Sequence, residues 1–188
     1  MSTTQPIREI SHIRTLINYH LNLGQYRNHL LIVFGLHSAL RISDLLNIRW
    51  CDVYDFSHKH ARKTLTIKEQ KTGKSKTLAL HNEIAKALKH TAHTARPHEF
   101  LFANTNTSKA ITRTQARRII RTAGEAINLP YEISCHSLRK TFGYHAWKSG
   151  VSPAVIMEIY NHTSLSHTKR YLGICQDDLN TVYVGMAF

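Results

Sequence analysis

Between Tyr26 and Leu40 the chain carries an uninterrupted apolar run, Leu30-Leu31-Ile32-Val33-Phe34, in a segment long enough for a helix. A surface helix places polar residues on one face at every third or fourth step, and this run leaves no such face. Other elements must therefore surround it, so the run predicts a central helix buried on most sides. The 188 residues supply about one domain around it, burying roughly 70% of the surface that the unfolded chain exposes. No stretch reaches eighteen apolar residues, and Met1 to Arg8 carries Gln5, Pro6 and Arg8 where a signal peptide needs an apolar stretch. Neither secretion nor membrane spanning is expected, and a cytoplasmic location is.

Helices flank the buried run. Ile10, Ile13, Leu16, Ile17 and Leu21 recur at helical spacing, and Asn22 to Gln25 breaks the pattern before the central helix. After it, Leu45, Leu46 and Ile48 suggest a short helix with Ser43 as its cap. From Trp50 to Leu80 the texture changes. Val53-Tyr54, Thr64 to Ile67 and Lys76 to Leu80 read as short strands, the last two joined by a turn at Lys71-Thr72-Gly73-Lys74. Asn82 to His90 returns to helix. Thr112 and Gln115 form a capping-box pattern that opens a helix over 113–127. His136 to Lys148 is the next helix, Ser152-Pro153 starts another through Ile156 and Ile159, and a shorter one covers Ser164 to Tyr171. The fold expected is mainly α with a small antiparallel β-sheet (α+β). Residues 1–175 form one domain, and 176–188 form a tail bearing Leu179, Val182, Tyr183, Val184, Met186 and Phe188.

Charge narrows the partner. The net charge of +13 argues for a polyanion, and nucleic acid is the commoner one for a domain without membrane features. Residues 61–80 hold Arg62, Lys63, Lys68, Lys71, Lys74 and Lys76 against Glu69 alone. Residues 109–121 hold Lys109, Arg113, Arg117, Arg118 and Arg121 without an acid, and Arg113, Arg117 and Arg121 stack on one helix face. Like charges at that spacing repel unless phosphates lie beside them. Lys68, Lys74, Lys76, Arg113, Arg117, Arg118, Arg121 and Lys140 are the candidate DNA-binding residues. Cys51, Cys135 and Cys175 form no CxxC pair, so three thiols in a reducing compartment are expected. His58 with His60 and His90 with His93 lack a convincing set of further ligands, so neither a metal nor any other cofactor is expected.

Five short motifs then occur in order. Gly35-Leu36-His37-Ser38-Ala39-Leu40-Arg41-Ile42-Ser43-Asp44-Leu45-Leu46 resembles the first arginine motif of the tyrosine recombinase (phage integrase) family. Gln70-Lys71-Thr72-Gly73-Lys74 is similar to its lysine hairpin, and His136-Ser137-Leu138-Arg139 to its His-x-x-Arg motif. Asn161-His162-Thr163-Ser164 resembles its Gly-His-Ser segment, with Asn161 where many members have glycine. Tyr171-Leu172-Gly173 stands where that family keeps its nucleophile. The resemblance spans about residues 8–173. It implies the family's catalytic-domain fold and a site-specific recombinase that cleaves and rejoins DNA through a covalent 3′-phosphotyrosyl intermediate, without metal. Lacking room for the N-terminal clamp domain of most members, the chain resembles minimal ones such as the fimbrial phase-switch invertases, or else the catalytic part of a longer protein.

The residues themselves suit that chemistry. Arg41 and Arg139 offer planar forks for two non-bridging phosphate oxygens. Tyr171 attacks phosphorus, and His136 takes the phenolic proton. Lys71 protonates the departing 5′ oxygen, and His162 hydrogen-bonds a non-bridging oxygen. Asp44 is a supporting residue that orients its surroundings. Lys68, Lys74 and Lys76 compete with Lys71 for the acid's role, and Tyr160 and Tyr183 compete with Tyr171. The resemblance further implies double-stranded DNA as partner and a homotetramer on paired sites that is monomeric or dimeric when free; the apolar tail has two readings, packing on its own domain or, as the resemblance implies, docking on a neighbouring protomer. A helper protein that bends DNA or sets directionality fits a domain without a clamp. Two other readings stand beside this one: a type IB topoisomerase-like strand transferase, and a non-catalytic DNA-binding regulator.

Overall fold

A computed structural model describes residues 4–174 and 176–186. Helices α1 (Ile10–Asn22) and α2 (Tyr26–Ser38) open the chain, followed by two single-turn helices, α3 (Ile42–Leu45) and α4 (Trp50–Val53). Two hairpins come next, β1 (Tyr54–Asp55) with β2 (His60–Ala61), and β3 (Thr64–Lys68) with β4 (Ser75–Ala79). The rest is helical: α5 (Asn82–Lys89), α6 (Arg113–Ala126), α7 (Cys135–Lys148), α8 (Pro153–Tyr160), α9 (Leu165–Leu172) and α10 (Gln176–Gly185).

The apolar run of α2 is divided between two packing regions, which is why it needs no solvated face. Leu30, Leu31, Val33 and Phe34 pack with Leu45, Trp50, Leu65, Ile84, Leu88 and Phe102. Ile32 and Leu36 point the other way, to Leu16, Ile120, Ile133 and Leu138. Gly35 lets α7 approach closely, since a Cβ there would stand 2.7 Å from Leu138 Cδ1. A third apolar region, Ala39, Ile156, Tyr160 and Leu172, is buried where α7, α8 and α9 meet.

Several local expectations hold and others are corrected. Thr112 and Gln115 exchange hydrogen bonds at 3.1 and 2.8 Å as the capping box of α6. Ser152 accepts from the Ala154 N–H at the start of α8. Ser43 does not cap α3; it lies inside that helix, and Arg41 occupies the N-cap. The strands form two separate two-stranded sheets rather than one. Asp55 Oδ1 accepts from the Ser57 and His58 N–H groups and turns the first hairpin back early. The second runs antiparallel from Thr64↔Ala79 to Lys68↔Ser75. Its tip is closed by the Gly73 N–H donating to the Glu69 carbonyl, with Gly73 at φ +68°. The tail, for which no element was expected, is helical over α10. Leu179, Val182, Tyr183, Val184 and Met186 are exposed there, while Phe188 lies outside the described residues. Cys51 and Cys135 are free thiols, and Cys175 lies outside the described residues.

Candidate active site

The site is assembled on the carbonyl end of α8. Ile159 O accepts from Lys76 Nζ, and Tyr160 O accepts from Arg139 Nη2 at 3.0 Å and from Arg41 Nη2 at 3.4 Å. The last carbonyls of a helix lack intrahelical donors and carry the negative end of its dipole, so they suit cations. Arg41 reaches this point because α2 stops at Ala39, which adopts the left-handed conformation (φ 55°) and reverses the chain. Arg139 comes from α7, and its second terminal nitrogen donates to Ala39 O. It is 1% exposed, so α2, α7 and α8 are joined through one buried guanidinium.

Glu69 supplies the countercharge. Also 1% exposed, it accepts from Arg41 Nη1 at 2.9 Å, Thr72 Oγ1 at 2.7 Å and Asn161 Nδ2 at 3.0 Å. Burial by itself would raise its carboxyl pKa. The Thr72 and Asn161 bonds and the charges of Arg41 and Lys76 outweigh burial and hold it below the ordinary range. Burial, then the neighbouring Arg139, bring Lys76 down to about 8. Asp44 Oδ1 accepts from the Gln70 N–H at 3.0 Å, fixing the base of the lysine hairpin to α3.

Tyr171 completes the constellation. Asn161 ends α8 in the left-handed conformation (φ 52°, ψ 43°) and turns the chain into His162. The Tyr171 ring, on α9, lies 4.8 Å from the His162 ring and 6.4 Å from that of His136. The Arg139 guanidinium carbon is 5.8 Å from the Tyr171 ring centre, and Lys140 Nζ is 5.7 Å from it. His162 Nδ1 is 3.1 Å from the buried Thr168 Oγ1. Desolvation, then Arg139 and Arg41, bring the His162 imidazole down to about 4. Desolvation, Arg139, Lys140 and Arg41 also lower His136, so both rings are neutral near pH 7. Arg41, Gln70, Lys71, Arg113, His136 and Tyr171 line one cavity of about 620 Å³.

All six residues expected to carry the chemistry thus meet at one place, with different exposures. Lys71 is exposed at the hairpin tip, whereas Lys76 faces inward among the arginines. Of the competing tyrosines, Tyr160 packs 5.3 Å from the Tyr171 ring, but its buried hydroxyl is committed to Arg139 O, and Tyr183 is exposed on α10. Among the candidate DNA-binding residues, Lys68, Lys74, Arg113, Arg117 and Arg118 are exposed. Arg121 is exposed as well, but it and Lys76 already have partners. Lys76 is held at the α8 terminus, and Arg121 pairs with Glu125 at 2.7 Å and Glu132 at 3.8 Å. Lys140 Nζ donates to Thr4 O at 2.6 Å. Glu69 and Thr168 were not anticipated. The one acid in a run of six cations was a usable signal for Glu69, while Thr168 had none. Asp55 joins His58 and His60 in a group with metal-ligating atoms within 4.8 Å of one another, away from the cavity. Its carboxylate is already engaged by the hairpin turn and by His58 Nδ1 at 3.1 Å.

A tyrosine ring set among two arginines, two histidines and a lysine is an arrangement suited to phosphoryl transfer. The comparisons name the arrangement's kind. Residues 8–176 match the model of the phage integrase family, and the chain belongs to that family, the tyrosine recombinases, which cleave and rejoin DNA strands at specific sites through a catalytic tyrosine. The chain is 37% identical over 183 residues to the probable integrase/recombinase YoeC of Bacillus subtilis (strain 168), covering 97% of each. Among solved structures it resembles XerA recombinase, with a TM-score of 0.79 at 20% identity, over 96% of this chain and 65% of that one. It also resembles XerH recombinase bound to a palindromic difH substrate in a post-cleavage complex, with a TM-score of 0.74 at 17% identity, over 97% of this chain and 53% of that one. Other curated tyrosine recombinases are matched over about half their length, 48% and 56% for two thermophile proteins.

Proposed function

We propose that the chain cleaves double-stranded DNA at a specific site, using Tyr171 as nucleophile and holding the 3′ end as a phosphotyrosyl ester. The observation that carries this is the placement of Tyr171 on the same cavity as Arg41, Lys71 and His136, with Arg139 and His162 beside its ring. In the reaction the Tyr171 oxygen bonds to phosphorus while the bond to the 5′ oxygen breaks. Neutral His136 takes the phenolic proton, and Lys71 gives one to the departing 5′ oxygen. Arg41 and Arg139 stabilise the charge on the non-bridging oxygens, and loss of either costs several kcal/mol of transition-state stabilisation. For His162 to donate from Nε2, the Thr168 hydroxyl must donate to Nδ1, and the 3.1 Å contact allows it. A 5′-hydroxyl from a second strand reverses the step, so exchange needs no external energy.

The fuller reading is a cytoplasmic recombinase acting as a homotetramer on paired sites, aided by a DNA-bending or directionality protein. The apolar side chains of α10 support docking of the tail on a neighbouring protomer, since Val182, Tyr183 and Val184 are 59%, 80% and 89% exposed. XerH in complex with its difH substrate supports duplex DNA as partner. The test is covalent trapping on a pool of duplexes nicked beside a randomised site, where the short cleaved strand diffuses away. Adducts from wild type and none from Tyr171→Phe, undiminished in excess EDTA, are expected. Adducts that survive Tyr171→Phe move the nucleophile elsewhere, and a strict Mg²⁺ requirement overturns the mechanism.

A further inference from the structure

The Glu69 carboxylate touches three segments that each carry a reacting group. Its Oε1 holds Arg41, and its Oε2 holds both Thr72, next in sequence to Lys71, and Asn161, next to His162. Lys71 itself sits exposed on a hairpin tip, with no hydrogen bond of its own among the described residues to place it. The tip is otherwise closed within itself, through Gly73 N–H to Glu69 O, Glu69 N–H to Lys74 O and Lys74 N–H to Thr72 Oγ1 at 3.3 Å, and footed on Asp44 through Gln70. Asn161 needs no side chain to make its left-handed turn, which glycine makes at lower cost. Asparagine also tolerates that turn, and here its amide is put to a second use, donating to Glu69 92 positions away.

We propose that Glu69 is a positioning residue that sets Lys71 in register with Arg41 and His162, and that Asn161 is its matched partner. The inference rests on the recombinase reading above. With the carboxylate in place, the lysine hairpin and the His162 turn share one buried anchor, so the acid's approach to the 5′ oxygen is fixed from the same atoms that fix Arg41. Positioning of this kind acts on rate, because a general acid must lie within hydrogen-bond reach of the leaving oxygen.

The test uses the full chain and the duplex selected by wild-type trapping, in two forms. One has an ordinary scissile phosphodiester. The other has sulfur at the bridging 5′ position, whose thiolate leaves without a proton. Asn161→Gly keeps the turn and removes only the amide, while Glu69→Gln removes the charge at nearly constant shape. On the oxygen substrate both should slow single-turnover adduct formation, by roughly tenfold for Asn161→Gly and more for Glu69→Gln. On the sulfur substrate Asn161→Gly should return to within a few-fold of wild type. Amide exchange at Lys71 to Lys74 should quicken in both variants, while α2 exchanges as in wild type. Wild-type rates for Asn161→Gly on the oxygen substrate overturn the inference and leave the recombinase reading intact. A loss equal on both substrates also overturns it, by placing the defect in Arg41 rather than Lys71. Failure of wild type to form adducts on any duplex overturns the recombinase reading and this inference with it; unchanged amide exchange overturns the anchor independently of activity.

Discussion

The hydroxyl of Tyr160 donates to the carbonyl of Arg139 at 2.5 Å, and the Arg139 guanidinium donates back to the carbonyl of Tyr160 at 3.0 Å. The same guanidinium lies over the Tyr160 ring, 4.4 Å from its centre. Helices α7 and α8 are thereby locked in register at the point where the proposed mechanism has Arg139 meet a phosphate. Burial raises the Tyr160 phenol above its usual range and keeps it a donor. Tyr160→Phe should lower stability by about 1–2 kcal/mol, the cost of one buried hydrogen bond, and slow adduct formation while leaving DNA affinity unchanged. Gly143→Ala should do more harm, because its methyl would overlap the Tyr160 phenol. Urea melts beside the trapping assay check both, and an unchanged Tyr160→Phe protein would show that the lock is redundant.

Thr168 is 0% exposed, and its hydroxyl lies 3.1 Å from His162 Nδ1. Neutral imidazole presents one donor and one acceptor, so under the proposed mechanism the Thr168 hydroxyl decides which His162 nitrogen carries the proton toward the phosphate. Thr168→Val keeps the volume and removes the hydroxyl; adduct formation should fall by roughly tenfold. Thr168→Ser should recover most of it. Equal activity of the valine and serine variants would show that His162 sets its own tautomer.

Acid should unfold the protein by a route the histidines define. Burial lowers His20, His29 and His37 below their usual value, and His162 falls to about 4. Between pH 6.5 and 4 the unfolded chain binds protons that the folded chain refuses, so stability is lost as pH falls through that window. His162 alone sets the width of that window, with up to about 1.4 kcal/mol per pH unit, and His20, His29 and His37 act in the same direction. Denaturant midpoints at pH 7 and pH 5 should differ clearly, and the difference should shrink in His29→Gln. A flat profile would mean that these rings charge freely in the folded state.

What the sequence made legible was what local chemistry determines. The run Leu30 to Phe34 required a surrounded helix, and Thr112 with Gln115 marked the start of α6, because apolar burial and capping act within a few residues. The order of Arg41, Lys71, His136, Arg139, His162 and Tyr171 was readable because family motifs are local strings. What was not readable were pairings across the chain. Nothing near Glu69 in sequence announces Asn161, ninety-two positions away, as its partner. Lys76 and Lys74 look alike on paper, yet Lys76 shares the inward-facing side of β4 with Leu78 and reaches the α8 carbonyls, while Lys74 precedes the strand on the exposed hairpin tip. Ser43 was a good cap by type, but α3 starts at Ile42 with Arg41 as its N-cap, two residues after the left-handed Ala39.

The same distinction between like residues governs DNA affinity. Arg113 is exposed on the rim of the cavity that holds Tyr171, whereas Arg121, two turns along the same face of α6, is paired with Glu125 and Glu132. A cation that meets a phosphate releases counterions, and one already neutralised releases fewer. Arg113→Ala should therefore weaken binding to duplexes of any sequence and reduce the slope of log affinity against log salt by about one. Arg121→Ala should leave the slope nearly unchanged, although both variants remove the same charge. Titrations of a labelled duplex at several salt concentrations measure the two slopes side by side. Equal changes would mean that DNA draws Arg121 away from its carboxylates and that the whole stripe of Arg113, Arg117 and Arg121 lies along the backbone.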